Sequence, residues 1–202
     1  MKLVVIGGGG HAKVVTDSAR AAGWEMVGFA DDRPDARLFD LQYLGSPQSL
    51  QVPQDARVVV AIGSNKLRQQ MVERFSGRVN WATVIHPRAI VSSFATIQAG
   101  TVIFAGAVIQ ADTVVEQHCI VNTSASIDHD CKIADFCHVA PNAVLAGNVN
   151  LKTGAFVGAG SVVLPGRCIG EWATLGAGGV SVRDLDSGGT YVGVPAEPRI
   201  PS

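Results

Sequence analysis

His129 and Asp130 are neighbours in the run Asp128-His129-Asp130. A carboxylate beside an imidazole can hold the ring in one tautomer and raise its basicity, which is the arrangement of a general base. Spacing alone equally fits a polar turn residue. A second candidate is Gly7-Gly8-Gly9-Gly10-His11, a glycine turn that follows an apolar run and opens a helical stretch. Backbone N–H groups in such a turn accept phosphate. As a dinucleotide fingerprint the turn reads G-x-G-x-x-A from Gly7 to Ala12, a weak match that a ligand-free glycine turn also satisfies. Asp31 and Asp32 close the next apolar run, where an acid meets a ribose hydroxyl or a base edge. Asp32 alternatively starts the turn before Pro34. Gly63-Ser64-Asn65 closes a third run, so three strand ends converge on one crevice suited to a nucleotide-linked ligand.

Two segments of different period must position these residues. Over residues 1–84 apolar runs at Leu3–Ile6, Met26–Ala30 and Val58–Ile62 alternate with helical stretches near His11–Ala22 and Lys66–Phe75, a βαβ-type unit with a parallel sheet. From Ile85 to Leu175 an aliphatic residue recurs at every sixth position, sixteen times in succession. A second column, four residues after each of these, is nearly all small from Ala89 to Gly179, with Arg167 out of place. One branched and one small residue per six, both inward, fill a triangular parallel β-helix. Three hexads make an 18-residue coil, so residues 85–180 give a little over five coils, ending where Ser181 takes the next aliphatic position. Three units follow: 1–84, 85–183, and a tail over 184–202 that packs back on the last coil.

Stacking by 18 sets His129 between Ala111 and Gly147, two minimal side chains that leave a hollow beside the ring. Asp130 stacks between Asp112 and Asn148. Elsewhere Gly158, Ala159 and Gly160 lie beneath Gly176, Ala177 and Gly178, a smooth strip along which a thin ligand such as a pantetheine arm could meet backbone amides. Tight corners alone would also select those residues. His138 can reach the lower end of the strip. His129 lies on another face, so a neighbouring protomer must bring it there, which favours a closed cyclic trimer. The histidines 86, 118, 129 and 138 occupy four different columns, whereas zinc needs convergent ligands, so no metal site is expected. Cys119, Cys131, Cys137 and Cys168 lack C-x-x-C spacing and are expected to be buried thiols.

Composition narrows the partners. Among 202 residues, 16 Lys+Arg face 17 Asp+Glu, a formal charge of −1 that attracts neither nucleic acid nor an anionic membrane. Hydrophobic residues are 47% while aromatics are 6% and glycines number 23, so the core is built from small and branched aliphatics. The opening apolar run is too short for a signal segment and no run of 18 apolar residues follows, so the expected compartment is cytoplasm, without membrane insertion.

The chain resembles the hexapeptide-repeat acetyltransferases of the sialic acid O-acetyltransferase type, a family that includes bacterial nucleotide-sugar N-acetyltransferases. VVIGGGGHAKVV, GFADD, VAIGSN, VIHPRAIV, NTSASIDHDC, GAGSVVLPG and VGVPA carry the resemblance along the whole chain. It implies a Rossmann-like α/β N-terminal domain and an all-β left-handed parallel β-helix. It also implies that the nucleotide sugar lies against Gly9, Gly10, His11, Asp31, Asp32 and Gly63, that His129 is the general base with Asp130 behind it, and that His138, Ala159 and Ala177 meet acetyl-CoA. The four-glycine turn and the segment 33–55 depart from several relatives and leave the acceptor sugar open.

The resulting expectation is an acetyl-CoA-dependent N-acetyltransferase of a UDP- or GDP-linked aminodeoxysugar. It would use acetyl-CoA as co-substrate, with no tightly bound cofactor and no acyl-enzyme, and act as a cytoplasmic homotrimer. The alternatives are O-acetylation of a sugar hydroxyl such as that of a sialic acid, an NAD-dependent oxidoreductase built on the N-terminal unit, and a non-catalytic scaffold.

Overall fold

The apolar runs of the N-terminal segment pair side by side because each is too short and too uniformly buried to stand alone. In the computed structural model, which describes residues 1–199, β1 (Lys2–Ile6) lies between β2 (Glu25–Ala30) and β3 (Ala56–Val60) in one parallel sheet. Leu3, Val4, Val5 and Ile6 are all fully buried, as the central strand of a parallel sheet covered on both faces must be. Helix α1 (Gly10–Ala21) turns Ala12, Val15 and Ala19 inward. Helix α2 (Asn65–Arg74) is N-capped by Ser64, whose hydroxyl accepts from the Leu67 N–H. Each element starts or ends within two residues of its sequence expectation.

Beyond residue 83 the six-residue period becomes geometry. Seventeen two-residue strands, from Val84–Ile85 to Val180–Ser181, stack into three parallel sheets that form the walls of a solenoid. Face one carries Val84–Ile85 and every eighteenth residue pair above it. Face two starts at Ile90–Val91 and face three at Thr96–Ile97. Every pairing keeps the register of eighteen, for instance Val108 with Ser126 and Ser126 with Val144. The repeat runs one hexad further than expected, because Ser181 occupies an inward position and its hydroxyl donates to the Arg183 carbonyl at 2.6 Å. A bridge from Ile169 to Leu185 then leads to Thr190–Val192, which pairs with Thr174–Leu175, so the tail does fold back onto the last coil.

The small inward column tolerates hydroxyls and thiols because each finds a carbonyl one coil up. Thr101 and Thr113 donate to the Glu116 and Asp128 carbonyls at 2.7 Å, and the Cys119 and Cys137 thiols reach the Ala134 and Lys152 carbonyls at 3.1 Å. Corners impose a second rule. From Gly100 to Gly178 every sixth residue has φ between 55° and 77°, the left-handed region that favours Gly, Asn and Asp. Ser124 and three bulky residues, His118, Phe136 and Trp172, break that preference. The bulky three share one corner column beside face one, where the N-terminal domain docks.

Docking uses an apolar base. Val84, Val102, Phe104 and Ile120 from face one enter a common core with Leu3, Val5, Ala12 and Val15. The two sequence segments are therefore fastened together through one wall of the solenoid.

Candidate active site

The coil register brings His129 to the edge between faces two and three, under Asn148 and over Ala111: the Asn148 N–H donates to the His129 carbonyl at 2.9 Å, and the Asp130 N–H to the Ala111 carbonyl at 3.2 Å. Asp130 takes the left-handed corner, with φ 58°, and that turn folds its carboxylate back to the ring. His129 Nδ1 lies 2.7 Å from Asp130 Oδ2, which fixes the proton on Nδ1 and leaves the Nε2 lone pair exposed. The backbone N–H of His129 also donates to Asp128 Oδ1 at 2.8 Å. The hydrogen bond that the ring donates to Asp130, followed by the charge of Asp128, holds the imidazole pKa above its ordinary value. The ring is 60% exposed and lies across Gly147, where a Cβ would stand 2.7 Å from Cε1 and 2.8 Å from Nε2. Gly147 is thus the residue that leaves the ring its position.

The glycine-alanine strip occupies the edge between faces one and two. Ala159, Gly160, Ala177 and Gly178 are all exposed. Beside them the coils touch backbone to backbone, since a Cβ on Gly158 would lie 2.6 Å from the Ala177 nitrogen. The N–H groups of Ala159 and Ala177 donate to no acceptor among the described residues. Within one chain His129 and the strip stand on different edges of the prism, and nothing in the fold brings them together.

The three strand ends of the N-terminal domain do converge. A cavity of about 410 Å³ is lined by Gly8, Gly9, Gly10, His11, Asp31, Asp32, Arg33 and Gly63, among others. Gly9 caps α1 without a side-chain bond, so the first N–H groups of the helix face the cavity. Asp31 Oδ2 accepts the Gly8 N–H at 2.7 Å and thereby fixes the turn. Asp31 also pairs with Arg33, whose hydrogen bond is the main cause of a carboxyl pKa held below the usual range.

His138 sits beneath this cavity and not on the open strip. It is 8% exposed, with Nδ1 3.3 Å from the Gly63 carbonyl and Nε2 3.0 Å from Asn122 Nδ2. The Asn122 amide is oriented by its own acceptance of the Thr123 N–H at 2.8 Å, so Nε2 of His138 is an acceptor and Nδ1 carries the proton. Burial, reinforced by the charges of Arg68 and His11, pushes its pKa down to about 3. The His11 ring lies 6.2 Å from it and packs on Phe104, and its pKa falls to about 4, again through burial and then Arg68.

Arg68 is a buried charged residue beside the site that sequence patterning did not single out. Its guanidinium is 1% exposed and meets no carboxylate among the described residues. From α2 it donates to the carbonyls of Ile62 at 3.0 Å, His118 at 2.7 Å and Phe136 at 2.8 Å, and to Asn65 Oδ1 at 2.8 Å. Asn65 in turn donates to the Gly154 and Ala155 carbonyls. The bulky corner residues form the pad for this contact, with His118 stacked on Phe136 at 5.4 Å and Trp81 edge-on to His118 at 4.7 Å. One helix turn therefore ties the rim of the N-terminal cavity to the coil that carries His138. An arginine at the fourth position of a helix gives no such signal in a sequence.

The family model described as the PglD N-terminal domain matches residues 2–75. The acetyltransferase domain of PglB from Neisseria gonorrhoeae FA1090, also solved with acetyl coenzyme A, superposes with a TM-score of 0.93 at 37% identity, covering 98% of this chain and 99% of that one. A mutant of perosamine N-acetyltransferase from Caulobacter crescentus, with one histidine changed to asparagine and solved in complex with CoA and GDP-perosamine, superposes with a TM-score of 0.92 at 37% identity over 100% of this chain and 98% of that one. UDP-N-acetylbacillosamine N-acetyltransferase of Bacillus subtilis (strain 168) is 38% identical over 108 residues, 49% of each chain, so the match spans about half the length of that relative. Full-length likeness at this identity means that the chain belongs to the hexapeptide-repeat acetyltransferase family, among relatives that include nucleotide-aminosugar N-acetyltransferases.

Proposed function

We propose that this protein transfers an acetyl group from acetyl-CoA to the amine of a UDP- or GDP-linked aminodeoxysugar. The observation that carries this reading is the His129–Asp130 pair, with Nδ1 held at 2.7 Å and Nε2 open over Gly147. His129 Nε2 takes a proton from the acceptor nitrogen as that nitrogen's lone pair adds to the thioester carbonyl carbon. The tetrahedral oxyanion is stabilised by an outward backbone N–H along the Ala159–Ala177 strip. His138 is less suited to that task, because its one N–H faces the Gly63 carbonyl. Collapse of the intermediate breaks the C–S bond, and the imidazolium returns its proton to the departing thiolate. Cys131 and Cys137 are buried thiols with raised pKa values, chiefly through desolvation, which favours direct transfer over an acyl-enzyme.

The nucleotide is read by the N-terminal cavity, with its diphosphate at the start of α1 near Gly9, Gly10 and His11, and its sugar directed past Gly63 toward the strip. The named ligands of the relatives, acetyl coenzyme A for PglB and CoA with GDP-perosamine for the Caulobacter enzyme, are of the two kinds this reading requires. The assembly in this proposal is a homotrimer. Face two presents Ile90, Val108, Val144, Val162 and Val180 outward, with Ile90 and Val144 exposed, and it is flanked by the strip on one edge and His129 on the other. Turning that apolar face toward a threefold axis sets the strip of one protomer against His129 of the next. The compartment is taken as cytoplasmic, where four free thiols stay reduced.

CoA release tests the reaction. With acetyl-CoA and a panel of UDP- and GDP-linked amino sugars, turnover should exceed that on free or CMP-linked sialic acid. A preference for the sialic acids would replace N-acetylation with O-acetylation, and failure to bind acetyl-CoA would leave a scaffold.

A further inference from the structure

We propose that Arg33 reads the nucleobase in the N-terminal cavity and selects guanine, an inference that rests on the nucleotide-sugar reading above and names its nucleotide. Asp31 closes β2, where a carboxylate would ordinarily meet a ribose hydroxyl. Here that carboxylate is already full. Oδ1 accepts the Arg33 N–H and Nε–H, each at 2.9 Å, while Oδ2 accepts the Gly8 N–H at 2.7 Å and Arg33 Nη2 at 3.3 Å. Four donors occupy the approximately four lone-pair sites of a carboxylate. Asp31 is 13% exposed and acts as a positioning residue, holding the glycine turn with one oxygen and aiming Arg33 with both.

The guanidinium is held side-on, through Nε and Nη2. Nη1 and the outer N–H of Nη2 remain, two parallel donors with no acceptor among the described residues, on a residue that lines the cavity and is 62% exposed. The diphosphate end of the cavity is fixed by the start of α1, so Arg33 and Asp32, beyond the end of β2, stand at the base end. A donor fork needs two adjacent acceptors. Guanine offers O6 and N7 side by side. Uracil and thymine separate their two carbonyls by an N–H donor, and adenine sets a donor next to N7. Asp32 adds the complementary half: Oδ1 accepts the Ser46 hydroxyl at 2.8 Å, and Oδ2 is left for a base N–H such as guanine carries.

Titration calorimetry of the full chain with GDP, UDP and dTDP tests this. GDP should bind roughly tenfold or more tightly than the other two, the discrimination of one bidentate pair. Arg33→Ala keeps the backbone bonds from Gly8 and residue 33 to Asp31, so the cavity survives; it should weaken GDP to the level of UDP and leave UDP unchanged. Arg33→Lys, a single donor point, should not restore the preference. Equal or tighter binding of UDP or dTDP to the unaltered chain overturns the proposal, as does equal weakening of GDP and UDP by Arg33→Ala, which would mean a phosphate contact. If no nucleoside diphosphate binds, the nucleotide-sugar reading itself fails and takes this inference with it.

Discussion

At the scale of the residue, the chemistry rests on one short hydrogen bond made by neighbours in sequence. Because Asp130 raises the pKa of His129, and because only the neutral ring can accept a proton, activity should decline as pH falls through a value above that of an ordinary histidine, near 6.5. In Asp130→Asn the acidic limb of kcat/KM should move to lower pH, and the rate should drop by ~10-fold or more, since the amide neither fixes the tautomer nor supports the imidazolium. A limb that stays in place would detach Asp130 from the base. This pair was legible in the sequence because its geometry is local: residues 129 and 130 share one corner. Arg68 was not, since its acceptors at positions 118 and 136 come from coils far along the chain and meet α2 only after the domains dock. His138 lay between these cases. Its column was legible, but its burial under Gly63 depends on the docked domain.

At the scale of the element, a period of six fixed the inward columns, the register of eighteen and the small residues around His129. Those came through because side-chain volume alone decides which residues face the interior of a narrow solenoid. The corner rule was less visible. Gly, Asn and Asp at every sixth position suit the left-handed corner, yet the bulky His118, Phe136 and Trp172 occupy it too, and they pack on the other domain, His118 against Trp81, Phe136 against its apolar core and Trp172 under Lys66. The element scale also isolates Gly147. Gly147→Ala would bring a methyl to 2.7 Å from His129 Cε1, and the exposed ring can swing away more readily than the coil can shift. The variant should therefore fold with an unchanged circular dichroism spectrum while kcat falls ~10-fold or more, as expected when a base loses its position by an ångström. Full activity in Gly147→Ala would mean that the ring works from another rotamer.

At the scale of the whole molecule, a buried guanidinium with no counter-ion among the described residues joins the two domains, and burial in that contact, reinforced by the Arg68 charge, lowers the pKa of His11, His118 and His138. Arg68→Lys replaces a five-donor fork by one ammonium and leaves several buried carbonyls unpaired, so it should cost about 2 kcal/mol, or roughly 4–8 °C in thermal midpoint for a chain of this size. An unchanged midpoint would remove Arg68 from the docking contact. The same interface couples folding to protons. His11 and His118 have folded pKa values of about 4 and His138 of about 3, all below the unfolded value, so unfolding takes up protons between pH 6.5 and 4 and stability falls as pH falls through that window. Near pH 5.5 His129 is protonated in both states and cancels. Calorimetric unfolding in buffers of different ionisation enthalpy should then register an uptake of about three protons, and an uptake near zero would mean that these rings are accessible in the native chain. The most direct measurement for the proposed activity is the steady-state rate of CoA release by His129→Ala on the best amino-sugar acceptor, with acetyl-CoA affinity determined in parallel. There kcat should be lower by ~10²–10⁴ with acetyl-CoA binding unchanged, whereas retention of more than about half the activity would remove His129 as the general base.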